Sequence, residues 1–131
     1  MPRHGRGWAM RGGTHDTSRH TPLTVAMLEP VLLVLLKEQA RHGYNLLADL
    51  EMLGMSTIHP SVVYRTLREM EGLGWIQSDW DTGQTQGPPR RTYQLTVEGE
   101  KALRNWQREL DKTRGLISQL FDQLSEQKGG E

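Results

Sequence analysis

The stretch GPPRRTYQLTVEG, Gly87 to Gly99, joins three unlike kinds of sequence without a gap. Two prolines and two arginines open it. Arg91, Tyr93 and Leu95 then alternate with Thr92 and Gln94, and Thr96 introduces a run with Glu98 and Glu100 where a first helical turn would lie. The alternation predicts a strand. Thr96 reads as an N-cap, and acids in the first turn suit the positive end of a helix dipole. Prolines stiffen the approach to the strand, because their φ is fixed and they donate no backbone hydrogen bond. A rigid, basic loop therefore leads into a strand and then into a helix.

Working upstream, Ile76, Ser78 and Trp80 alternate with Gln77 and Asp79, which predicts a second strand and a hairpin. Its loop, Asp81 to Pro89, holds Gly83, Gly87 and two prolines, too long for a tight turn and suited to a protruding tip. Three helices are expected before it. The first runs from Leu23 to Gln39, with Leu28, Leu32, Leu35 and Leu36 on one side and Pro30 in its interior or first turn. The second lies in HGYNLLADLEMLG, where Tyr44, Leu47, Leu50 and, less regularly, Leu53 keep helical spacing before Gly54 closes it. The third follows a turn through Met55 to His59, takes Pro60 at its first position and ends near Leu73. On it Val63, Leu67 and Met70 share one face, while Ser61, Arg65 and Arg68 project opposite.

Downstream of Thr96, Leu103, Trp106, Leu110, Thr113, Ile117, Leu120 and Leu124 follow at alternating spacings of three and four, a heptad seam. Such a seam needs a partner. No second long amphipathic helix is evident in the chain, so the same helix of a second copy is the simplest one. The expected organisation is a disordered basic, His-containing tail over residues 1–22, a unit of three helices and a hairpin over 23–95, a dimerisation helix over 96–125 and a disordered end over 126–131.

Composition bounds the function. The 131 residues amount to one domain with a modest core and no room for a large catalytic cleft. Formal net charge is zero, so any basic surface must come from local placement. There is no cysteine, hence no thiol nucleophile, disulfide or thiolate metal site, as suits a cytoplasmic protein. The most apolar run, Val31 to Leu36, is far short of the ~20 residues of a membrane span. Residues 1–21 have no apolar stretch of the secretory kind.

Of five histidines, His4, His15 and His20 lie in the tail and His42 and His59 begin helices. No pair has ligand spacing on one element, so no metal site is expected. Arg3, Arg6, Arg11 and Arg19 against Asp16 make the tail locally basic, able to add non-specific DNA affinity. Nothing assembles a nucleophile with a base, a phosphate-cradling glycine loop or converging carboxylates, so neither an enzyme nor a cofactor is expected.

Three helices followed by a hairpin is the order of a winged helix-turn-helix, mostly α with a small β-hairpin wing. The chain from about Val25 to Leu124 resembles the PadR-like transcriptional regulators. ARHGYNLLADL looks like their second-helix motif, SVVYRTLREMEGLGWI like their recognition helix and first wing strand, and GPPRRTYQLTVEGEKAL like their second wing strand leading into the dimerisation helix. Its single C-terminal helix is similar to the shorter branch of the family. Two positions depart from the pattern: Arg65 stands where proline is usual, and Ser61 where glycine is usual.

The resemblance implies a homodimeric repressor of a double-stranded DNA operator, released by an effector. Tyr64 and neighbouring polar groups of the recognition helix would contact DNA, Arg90 and Arg91 would belong to the wing, and phosphate contacts would lie near His42, Gly43 and Tyr44. Helix N-termini offer free N–H groups to anions, which supports the last point independently.

Plainer roles remain open beside these. Tyr64 could cap the core edge, Arg65 and Arg68 could be a solvated face diluted by Glu69 and Glu71, and Arg90 and Arg91 could pair with Asp79 and Asp81 at ~0–1 kcal/mol each. Trp106 could be ordinary core in the dimer seam of Leu103, Leu110, Ile117, Leu120 and Leu124, or, as the resemblance implies, could wall a pocket between subunits for a planar apolar effector. A winged-helix module that binds protein rather than DNA is the rival function.

Overall fold

The computed structural model describes residues 22–81 and 90–129. The element order is α1 (Pro22–Glu38), β1 (Arg41–His42), α2 (Gly43–Met52), α3 (Pro60–Gly72), β2 (Ile76–Asp81), β3 (Arg90–Leu95) and α4 (Val97–Gly129). The expected tail, apart from Pro22, lies outside the described residues, as do the loop tip at 82–89 and residues 130–131. Pro22 is itself the first residue of α1.

α1 is apolar around most of its girth, so it runs through the middle of the core. Leu28, Leu32, Leu33, Leu35 and Leu36 are all buried. Pro30 lies inside the helix and is buried too, and its missing N–H leaves the helix one hydrogen bond short. Around α1 gather Leu46 and Leu50 of α2, Val63, Leu67 and Met70 of α3, Ile76 of β2 and Tyr93 of β3 in one cluster.

α2 differs from its expected orientation. Its inward face is Gly43, Leu46 and Leu50, while Tyr44 is 69% exposed and Leu53 58%. The doublet Leu46–Leu47 permits either register. Gly43 decides it, because only a residue without a side chain can lie so close against Tyr64 of α3. α3 keeps its expected faces, Val63, Leu67 and Met70 in and Ser61, Arg65 and Arg68 out. It starts at Pro60 behind an N-cap from His59, whose Nδ1 accepts the Ser61 N–H at 3.1 Å. The chain leaves it through Leu73 and Gly74, the latter at φ +81°.

The hairpin is part of a three-stranded antiparallel sheet in the order β1-β3-β2. Two strands were expected; β1 is the addition, with Arg41 opposite Tyr93 and His42 opposite Thr92. Two residues carry no alternation from which a strand could be read. Arg41 anchors this strand: its Nε donates to the Leu35 carbonyl at 3.1 Å, and its terminal nitrogens meet Glu38 at 2.9 Å and the Asp49 carboxylate. The guanidinium thus ties α1, β1 and α2 together.

Thr96 does cap α4, its Oγ1 accepting the Gly99 N–H at 3.0 Å, while its own N–H donates to the Trp75 carbonyl at 3.0 Å. The first turns of α4 pack on the core: Ala102 is buried, and Leu103 and Trp106 are partly buried against the cluster. Trp106 Nε1 donates to Glu29 of α1 at 3.0 Å. The early part of the heptad seam therefore has a partner in its own chain, one the sequence reading had not supplied. From Asp111 to Glu126 every residue is exposed.

Candidate nucleic-acid interface

Three segments meet around Tyr64. The ring lies over the first residue of α2, so near that a Cβ on Gly43 would stand 2.8 Å from its Cε1. β3 passes beside both, bringing Arg90 and Arg91. The result is a cleft of about 340 Å³ lined by His42, Gly43, Tyr44, Tyr64, Arg90, Arg91 and Tyr93. A second cleft of about 510 Å³ adjoins it through Tyr64, Arg91 and Tyr93 and adds Arg68, Glu71 and Gly72. Six of the eight residues expected to meet DNA, His42, Tyr44, Tyr64, Arg68, Arg90 and Arg91, line one or both. Ser61 and Arg65 line neither; they stand exposed on α3.

Tyr64 packs against the core edge and also lines both clefts. Arg90 lies over Tyr44, 6.0 Å from guanidinium carbon to ring centroid, and Arg91 over Trp80 at 4.8 Å. Such stacking holds a guanidinium flat at little cost in desolvation. Arg91 takes Ser78 as its polar partner, Nε donating to Oγ at 2.7 Å, rather than Asp79 or Asp81. The Ser78 hydroxyl donates in turn to Glu71 Oε2 at 2.7 Å. The carboxylate of Asp81 lies 3.5 Å from His42 Nε2. Burial pushes the Tyr93 hydroxyl above its ordinary pKa, with Arg91 pulling the other way, so it remains a neutral phenol at physiological pH.

Sequence reasoning missed Glu71, Ser78, Trp80 and Tyr93 as parts of this surface. For the strand residues the signal lies in the register, which sets Trp80 opposite Arg91 and Ser78 opposite Tyr93 on the same face, whereas Glu71, on α3, enters through its bond to Ser78. What the arrangement offers chemically is cation and N–H donors on a shallow surface: two guanidinium groups from β3, one from Arg68 and the first turn of α2. Oriented donors of this kind meet phosphate oxygens.

Elsewhere, a cleft of about 500 Å³ lies between Trp75 and Trp106, bordered by Glu98, Lys101, Ala102, Asn105 and Glu109. The remaining residues of the expected dimer seam divide: Leu110 is half-buried beside Val34 and Leu103, whereas Ile117, Leu120 and Leu124 are exposed. Among the described residues, no cluster of three or more His, Cys, Asp or Glu could hold a metal ion. No helix among them is long and apolar enough to cross a membrane.

The family model described as the transcriptional regulator PadR-like family matches residues 31–105. Among solved structures, a PadR family transcriptional regulator from Eggerthella lenta is 27% identical, with 76% of this chain and 85% of that one covered and a TM-score of 0.67. A Streptococcus transcriptional regulator is likewise 27% identical over 77% of this chain and 98% of that one, TM-score 0.67. A PadR-like transcriptional regulator from Bacillus cereus, 20% identical over 77% and 97%, superposes with a TM-score of 0.68 and speaks for the fold alone. No curated protein matches the chain. The matched span runs from α1 through both wing strands into α4, so this winged-helix chain belongs to the PadR-like family of transcriptional regulators.

Proposed function

We propose that the protein is a homodimeric, sequence-specific DNA-binding regulator acting in the cytoplasm, a repressor that leaves its operator when a planar apolar effector binds. The observation that carries this reading is the convergence of α3, the start of α2 and the β3 arginines around Tyr64. α3 enters the major groove, where Ser61, Arg65 and Arg68 face the bases and the adjoining backbone. Arg90, Arg91, His42 and Tyr44 take phosphates on either side. In family terms the DNA-binding unit spans about 23–95 and the dimerisation helix 96–125.

Dimerisation is supported by an apolar stripe with no cover among the described residues: Ile117, Leu120, Phe121 and Leu124 are between 39% and 65% exposed. A second α4 covers it most economically, since identical stripes are self-complementary across a two-fold axis. For the effector, the support is the cleft bounded by Trp75 and Trp106, whose size suits a small aromatic molecule.

The test is binding to duplex DNA from upstream of the protein's own coding region, titrated across salt concentrations. Log affinity should fall linearly with log salt, as counterion release requires. Weak binding indifferent to salt would instead favour a module that recognises protein.

A further inference from the structure

The Ser78 hydroxyl stands between two charged groups from different elements, 2.7 Å from Glu71 Oε2 on α3 and 2.7 Å from Arg91 Nε on β3. A guanidinium has no lone pair to accept with and an ionised carboxylate has no proton to give. The direction of both bonds is therefore settled: Arg91 donates to Ser78, and Ser78 donates its single proton to Glu71. With the proton committed to Glu71, the hydroxyl turns its lone pairs to Arg91. Trp80 lies against the face of the same guanidinium, 4.8 Å from its carbon. One edge of Arg91 and one face are thus fixed, which leaves its two terminal nitrogens as the fork that can meet a pair of phosphate oxygens.

Glu71 is otherwise out of place here. It lines the cleft shared by Tyr64, Arg68 and Arg91, and an acid on a DNA-facing surface repels phosphate. We propose that Glu71 is a positioning residue: through Ser78 it holds Arg91 on Trp80 in the orientation that receives a DNA phosphate, and so fixes the wing to the recognition helix. The inference rests on the DNA-binding reading above. Unlike a direct contact, Glu71 would strengthen binding although its own charge opposes it.

The test uses the full-length protein and a labelled mixed-sequence DNA duplex at low and moderate salt, since a phosphate contact needs no particular sequence. Glu71→Ala and Ser78→Ala should each weaken binding by about threefold to tenfold, the scale of one misplaced charge-assisted contact. Neither should weaken it further once Arg91 is Ala. Glu71→Gln keeps an acceptor for the Ser78 proton and loses the repulsive charge, so it should bind as tightly as the native protein or more tightly. Ser78→Thr keeps the hydroxyl and should also retain native affinity. Thermal unfolding of each variant separates loss of fold from loss of position.

Additive losses in the Arg91→Ala background, or a Glu71→Ala protein that binds as well as Glu71→Gln, would overturn the positioning role. If Arg91→Ala alone leaves affinity and salt dependence untouched, Arg91 meets no phosphate; the DNA-surface reading then fails at that residue, and the relay fails with it.

Discussion

Gly43 and Tyr64 are in contact across two helices: a Cβ on the glycine would stand 2.8 Å from Cε1 of the ring and 3.3 Å from its hydroxyl oxygen. The start of α2 and the central tyrosine of α3 are thus set against one another by the lack of a side chain. Gly43→Ala should displace the ring rather than unfold the protein. Overpacking costs ~1–3 kcal/mol, but the ring end can move, and alanine improves on glycine within a helix by ~0.5–1 kcal/mol. Melting temperature should change little while DNA affinity falls about tenfold, the loss of roughly 1.4 kcal/mol of contact. Native affinity in Gly43→Ala would mean that the position of Tyr64 does not matter to DNA.

The faces of α3 were legible in the sequence because its apolar residues, Val63, Leu67 and Met70, permit only one inward stripe. α2 was not, because Leu46 and Leu47 offer two stripes and a glycine chooses between them. β1 escaped notice for a different reason: its hydrogen bonds are backbone groups of Arg41 and His42, whose side chains show no strand pattern. Among the residues that line the two clefts, Arg68, Arg90 and Arg91 stood out in the sequence because each carries charge on an evident helix face or wing. Glu71 and Ser78 did not, since the part of Ser78 depends on a cross-strand register that spacing alone does not give, and that of Glu71 on its helix packing beside that strand.

At the junction of wing and α4, a Cβ on Gly99 would lie 2.0 Å from the Trp75 carbonyl oxygen, a backbone atom that also receives the Thr96 N–H. No side chain can yield there. Gly99→Ala should therefore cost at least as much as severe overpacking, ~3 kcal/mol, against ~1 kcal/mol for removing the cap in Thr96→Ala. Chemical denaturation of both variants gives the comparison, and a Gly99→Ala protein as stable as Thr96→Ala would show that the junction relaxes easily.

Replacing Arg90 and Arg91 together with Ala should weaken binding to every duplex alike. The slope of log affinity against log salt should flatten by ~1.8, twice the ~0.9 expected per phosphate contact. Arg65→Ala should behave differently, eroding the preference for operator over random DNA, because a side chain on the exposed face of α3 can reach base edges. An unaltered salt slope in the double wing variant would remove both arginines from the phosphate contacts.

Ile117→Glu with Leu120→Glu should yield a folded monomer. Both residues are exposed in the protomer, so the charges disturb little within one chain but would be buried against a second α4. Leu110 is the poorer choice, since it is half-buried beside Val34 and its loss would confuse protomer stability with assembly. Sedimentation should show half the native mass, and operator affinity should drop steeply as two half-sites are no longer bound together. A dimer that survives both substitutions is held elsewhere.

A planar apolar compound should lower operator affinity by entering near Trp106, and its effect on DNA would run through Trp75. Trp75, across the cleft, receives the Thr96 N–H on its carbonyl and donates its own N–H to Met70 at 3.0 Å, so it joins the end of α3 to the start of α4. A ligand held in the cleft that Trp75 and Trp106 line would bias the angle between α3 and α4, and with it the spacing of the two DNA-reading units of a dimer. A tenfold loss of affinity needs ~1.4 kcal/mol of preference for one spacing over the other. Trp106→Ala should abolish the response, but it also empties a site packed on α1, at up to ~3–5 kcal/mol. Trp106→Phe is the gentler companion: it keeps an aromatic wall and gives up the bond to Glu29 and part of the ring volume, so it should retain a weakened response in a more stable protein than Trp106→Ala. Operator titration with and without compound, followed alongside by quenching of tryptophan fluorescence, reads both variants. A responsive compound that keeps its full effect on Trp106→Ala would leave this residue as core and move the effector site elsewhere.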